Sequence, residues 1–112
     1  MTPRLERPII CVVTRARGRS GSPERRALLE RLAAAAGAGA SLVQIRERQF
    51  NDRDLAGFVR EVVAAVKPAG ALVTVNDRTD VALVAGADGV HLKSDGPSPQ
   101  DVRRIVPPDF VV

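Results

Sequence analysis

Tryptophan and tyrosine are missing from this 112-residue chain, and three phenylalanines are its only aromatic residues. Aromatic platforms for stacking nucleic-acid bases are therefore lacking, and no nucleic-acid partner is expected. There is one cysteine, Cys11, and one histidine, His91. No Cys/His spacing suggests zinc, and a lone cysteine in an apolar run predicts a buried thiol in a reducing compartment. Neither G-x-G-x-x-G nor a Walker A loop is present, so the common nucleotide cradles are excluded. No apolar run approaches the roughly 20 residues of a membrane span, and the start lacks the charged-then-apolar pattern of a signal peptide. A cytoplasmic protein with no membrane partner is the expectation.

Positive charge is plentiful. The formal net charge is +4, and arginines crowd the first quarter of the chain (Arg4, Arg7, Arg15, Arg17, Arg19, Arg25, Arg26). A solvated basic end is the plain reading, and a field that steers anionic ligands is the functional one.

Strands and helices alternate in the pattern. Met1 to Arg7 reads as a lead-in, and Ile9 to Thr14 as a first strand. Ser22-Pro23-Glu24 has the cap, the first-turn proline and the acid of a helix start. Leu28, Leu29, Leu32, Ala35 and Ala36 share its apolar face, and Gly37 and Gly39 end it. A second strand runs from Leu42 through Arg48. Asn51 or Asp52 caps a helix whose Leu55, Phe58, Val59, Val62, Val63 and Val66 recur in steps of three and four. Pro68 and Gly70 stop it. Leu72 to Val75 is a third strand, Thr79 to Ala85 a short helix, and Gly89 to Leu92 a fourth strand. Ser98-Pro99 starts a last helix reaching about Val106, and Phe110-Val111-Val112 begins a fifth strand.

The second strand is the unusual one. Val43 and Ile45 point one way, and Gln44, Arg46 and Arg48 the other. Parallel strands are normally covered on both faces, so three long polar groups need a wet space inside the fold. Two guanidinium groups and an amide there suit phosphate. An internal repeat extends the pattern. Gly39 to Arg46 aligns with Gly86 to Lys93 and, with a shorter turn, with Gly70 to Asn76. Gln44, Thr74 and His91 then share one level, and Arg46, Asn76 and Lys93 the next, toward the strand ends where βα folds bind ligands. Asn76-Asp77 reads as a turn, or as an amide and a carboxylate facing a ligand and Mg²⁺. Asp95 is a second carboxylate or a solvated loop acid. Asp88 and Gly89 belong to the turn into the fourth strand. Two architectures fit: a doubly wound five-stranded sheet, complete at this length, or about half of an eight-fold barrel.

The segments Gln44-Ile45-Arg46-Glu47-Arg48, Val75-Asn76-Asp77-Arg78 and Ala87-Asp88-Gly89-Val90-His91-Leu92, with Cys11-Val12-Val13-Thr14 before them, resemble the thiamine phosphate synthase family. The resemblance runs from about Ile9 to the end. It implies an α/β fold of the (β/α)8 TIM-barrel type. Residues 1–112 would be the N-terminal half, with four βα units and the start of strand five. It implies condensation of hydroxymethylpyrimidine diphosphate with thiazole phosphate, Mg²⁺ assisting the release of pyrophosphate. By the same resemblance Gln44, Arg46 and Arg48 (where the family usually has Lys) bind the diphosphate with Asn76. The resemblance makes Asp77 a metal carboxylate. His91 and Lys93 are assigned to the substrate site from their place at the end of the fourth strand. Asp95, one residue before the family's second metal position, is read as a second metal carboxylate. No side chain is assigned as an acid–base catalyst. Phosphorylated small molecules are the implied ligands, and a homo-oligomer is possible. The family's usual Gly-Gln-acid run after His-Leu is replaced here by Lys93-Ser94-Asp95-Gly96, with Gly96 at a metal carboxylate position. That departure points partway to the sister thiazole tautomerases. A non-catalytic half barrel that needs a partner is the third reading.

Overall fold

The computed structural model describes residues 9–112, so the expected lead-in Met1 to Arg7 lies outside the described residues. Four strands form one parallel sheet: β1 (Cys11–Val13), β2 (Leu42–Ile45), β3 (Leu72–Asn76) and β4 (Gly89–His91). The intervening helices are α1 (Pro23–Gly37), α2 (Asp52–Val66) and α3 (Thr79–Ala85), and α4 (Pro99–Arg103) follows β4.

Strand order is β1-β2-β3-β4, with no reversal. A doubly wound sheet reverses its order at a switch point, where its helices change faces. Here α1 packs on α2 and α2 on α3, so each βα unit adds beside the last, as in a barrel wall. Val111 continues the order by bridging to Gly89, in parallel.

Local chemistry explains the elements. Ser22, Asn51 and Ser98 each accept the backbone N–H three residues on, at 3.1, 2.8 and 3.1 Å. Each such cap stabilises its helix by about 1 kcal/mol. The α2 stripe of Leu55, Phe58, Val59, Val62 and Val66 is buried against Val43, Ile45, Val73, Val75 and Val90 of the sheet. Gly70 and Gly86 end their helical segments in the left-handed conformation, where glycine has no Cβ penalty.

Three features differ from the sequence expectation. Strand β2 stops at Ile45, because the Arg46 N–H turns to Thr14 Oγ1 (3.2 Å) instead of the ladder. Arg46 and Arg48 therefore sit beyond the strand end, not on its pleat. The repeat also aligned His91 with Thr74, whereas the sheet pairs His91 with Asn76 and Thr74 with Gly89. The two-residue offset keeps every side chain on its face but moves β4 by one pleat, the stagger that barrel strands require. Finally, Cys11 is exposed rather than buried. It alternates with half-buried Val12 and lies on the uncovered sheet face with Val13, itself 50% exposed.

The Asp88-Gly89 turn is structural, as expected. Asp88 Oδ2 accepts the Val73 N–H at 2.8 Å, and a Cβ on Gly89 would lie 2.6 Å from the Val111 Cβ. Gly89→Ala is expected to destabilise the protein by about 1–3 kcal/mol, read as a lower denaturant midpoint. An unchanged midpoint would mean that the Val111 segment gives way freely.

Candidate functional site

The carboxyl ends of the strands carry the polar residues. Register places Asn76 beside His91, each one residue past the Val75–Val90 pair. Asn76 Oδ1 lies 3.1 Å from His91 Nδ1 and accepts the Gln44 amide at 3.3 Å. Because a carbonyl oxygen only accepts, His91 donates from Nδ1 in this contact. Three strands are thus joined by side chains across the uncovered face.

The β1 and β2 ends are tied by a residue that the motif reading passed over. Glu47 Oε2 accepts from Thr14 Oγ1 (2.7 Å) and from the Ala16 N–H (2.9 Å), and its other oxygen accepts from Gln49 (3.0 Å). Thr14 Oγ1 in turn accepts the Arg46 N–H. This clasp fixes the backbone that presents Arg46 and Arg48. The signal available in sequence was the acid between two arginines, with a threonine ending the previous strand.

Beside it lies a cavity of about 620 Å³, lined by Glu47, Arg48, Asn76, Asp77, Arg78, Lys93 and Asp95 among others. The expected residues Arg48, Asn76, Asp77, Lys93 and Asp95 are therefore brought together. Arg46 is exposed at the end of β2 and does not line this cavity. Gln44 and His91 also stand outside the cavity and reach it only through Asn76. Arg78 faces the cavity but is tied to Asp80 at 3.0–3.1 Å and to Asp52 at 2.9 Å. Those bonds hold its guanidinium above the usual arginine range and Asp80 below the usual carboxylate range.

Asp77 is the constrained residue of the group. Its φ of +66° is the only left-handed value at a non-glycine among the described residues, a conformation that Asp tolerates better than most. Its N–H continues the ladder to the His91 carbonyl at 2.8 Å. Its Oδ2 pairs with Lys93 Nζ at 3.0 Å, while Oδ1 is buried with no hydrogen-bond partner. The hydrogen bond to Asp77 holds the Lys93 ammonium above the ordinary lysine value. Among the described residues, no three His, Cys, Asp or Glu side chains gather as a metal cluster.

Over residues 10–112 the sequence matches the family described as thiamine monophosphate synthase. The chain belongs to that family. It is 44% identical over 84 residues to a thiamine-phosphate synthase of Solidesulfovibrio magneticus, covering 75% of this chain and 40% of that protein. A Methanoculleus marisnigri thiamine-phosphate synthase is 46% identical over 84 residues, covering 75% and 39%. The solved thiamine phosphate pyrophosphorylase from Pyrococcus furiosus superposes with a TM-score of 0.69 at 28% identity, covering 87% of this chain and 45% of that one. The chain thus spans about two fifths of the curated relatives it matches. Its fold is α/β, of the barrel type seen in thiamine phosphate synthases, and the three family-like segments meet at one end of the sheet. Among the described residues no helix is long and apolar enough to cross a membrane.

Proposed function

We propose that this chain forms the diphosphate-binding part of a thiamine phosphate synthase, which joins hydroxymethylpyrimidine diphosphate to thiazole phosphate and releases pyrophosphate. The observation that carries this reading is the convergence of Arg48, Asn76, Asp77 and Lys93 on one cavity at the strand ends, with Arg46 beside it. In such a reaction the leaving diphosphate gains negative charge as its C–O bond breaks. Fixed cations aimed at those oxygens lower the barrier, and little proton transfer is required. Gln44 and His91 hold the Asn76 carbonyl, which leaves the Asn76 amide hydrogens to donate to the ligand. The Thr14–Glu47 clasp keeps the arginine backbone in place.

Magnesium fits one feature of the site, the unpartnered buried Oδ1 of Asp77. Mg²⁺ is commonly held by one or two carboxylates together with phosphate oxygens and water, and Asp95 on the same cavity would be the second. When bound, the ion would offset charge on the departing pyrophosphate. A reducing, cytoplasmic setting suits the exposed Cys11 thiol. The exposed Ile9 and Ile10 before β1 and Val13 in it would be covered by further barrel strands or by a second copy.

The test is pyrophosphate release by the full-length protein from the pyrimidine diphosphate, thiazole phosphate and Mg²⁺. Release that requires both organic substrates is expected. No release at any metal concentration would overturn the synthase reading. Uptake of a thiazole carboxylate phosphate indifferent to Mg²⁺ would then favour a tautomerase.

A further inference from the structure

The Lys93–Asp77 pair has a geometry that metal binding alone does not explain. Asp77 is held at its backbone, and its carboxylate is closely approached by Gly96. Its backbone N–H is bonded to His91, and an added Cβ at Gly96 would stand 3.2 Å from its Oδ1. The Lys93 backbone is held as well, because the Gly96 N–H closes a turn onto the Lys93 carbonyl at 3.2 Å. The same Gly96 sits against the lysine stem, with its added Cβ 3.4 Å from Lys93 Cγ. An alanine at 96 would crowd the Asp77 carboxylate and touch the Lys93 stem. The Lys93 side chain is 54% exposed, and Asp77 is the one carboxylate that its ammonium meets among the described residues. One of its three N–H donors meets Asp77, which leaves two for other acceptors. Arg48 and Asn76 line the same cavity.

A divalent ion at Asp77 would have to approach within about 2.1 Å of a carboxylate oxygen, with an ammonium 3.0 Å from the other oxygen of that group. Two positive centres would then share one carboxylate, and Asp95 is exposed on the rim. Lys93 on Oδ2 and a divalent ion on Oδ1 would therefore draw on the charge of the same carboxylate.

We propose that Lys93 is the resident cation of this site: Asp77 aims its ammonium at a phosphate oxygen of the ligand, so that phosphate binding persists when divalent metal is removed. This rests on the anion-site reading above and specifies how the anion is held. Lys93 then carries, without a metal, part of the charge that Mg²⁺ would supply.

The experiment is calorimetric titration of the full-length protein with inorganic pyrophosphate, in EDTA and in excess Mg²⁺. Binding is expected in both. Lys93→Gln should weaken binding in EDTA by about tenfold or more, as for loss of a charged hydrogen bond. It should weaken binding less in Mg²⁺, because the ion then has the charge of the Asp77 carboxylate to itself. Lys93→Arg should restore most of the metal-free binding, which separates a charge effect from misfolding, and the melting temperatures of both variants check the fold directly. Binding only in Mg²⁺ would overturn the proposal and leave the synthase reading standing. Metal-free binding untouched by Lys93→Gln would overturn it as well. No pyrophosphate binding in either condition would sink both the proposal and the anion-site reading beneath it.

Discussion

Replacing Arg25 by methionine is expected to lower stability by about 3 kcal/mol, the scale of breaking a buried ion pair from one side. The melting temperature should fall by on the order of 10 °C. In sequence Arg25 reads as one of the solvated basic residues at the start of the chain, yet it is only 5% exposed. Its guanidinium pairs with Glu61 at 2.8 Å and donates to the Gly18 carbonyl at 3.1 Å. It lies 4.7 Å from the Phe58 ring centroid and 5.6 Å from that of Phe50, where the ring faces attract a cation. The two rings meet edge to face at 5.6 Å. Arg25 thus pins the start of α1 to the middle of α2 and to the loop after β2. Methionine keeps much of the stem volume but leaves the Glu61 carboxylate without its partner. The double change Arg25→Met with Glu61→Leu should recover most of the loss, since an apolar pair of similar volume often equals a buried ion pair. Thermal melts of the two single variants and the double variant decide it. A single variant as stable as the parent would mean that the pair contributes nothing, and the buried arginine would then have no structural account.

The second large effect is expected at the arginines after β2. Arg46→Ala or Arg48→Ala should weaken pyrophosphate binding by about 100-fold. Each guanidinium can make two parallel charge-assisted bonds to phosphate, and such bonds contribute about 1.5–3 kcal/mol apiece, with 1.4 kcal/mol equal to tenfold. Lysine at either place keeps the charge but loses the fork, so it should hold an intermediate affinity. The melting temperatures should barely move, because both residues are exposed. Binding within threefold of the parent after Arg46→Ala would remove Arg46 from the site, leaving Arg48 and Lys93 as its cations. That outcome matters because Arg46 stands beside the cavity and not in its lining.

Much of the fold was legible in the chain because its signals are local. The caps at Ser22, Asn51 and Ser98 depend on one oxygen and an amide three residues away. The α2 stripe depends on a spacing that any helix repeats. The parallel βα alternation follows from those elements, and so does the sharing of one sheet face by Gln44, Thr74 and His91. The site residues came largely from the match of Gln44 to Arg48, Asn76-Asp77 and His91 to the family's segments, and the cavity gathers Arg48, Asn76, Asp77, Lys93 and Asp95 from four of its loops and strands.

Tertiary structure decided what depends on partners distant in sequence. Whether the sheet reverses is set by which strand lies beside which, and no single segment records that. The end of β2 at Ile45 was decided by Thr14, 31 residues earlier, whose hydroxyl takes the amide that would have extended the ladder. The pleat on which His91 meets Asn76 came from the stagger between strands, which identical repeats cannot reveal. Arg25 reads as one more surface cation until Glu61, Phe50 and Phe58 close around it. Lys93 could be read as a phosphate ligand from its place in the chain. Only the fold showed that Asp77 already holds it, because an ion pair forms where two backbones bring opposite charges within reach.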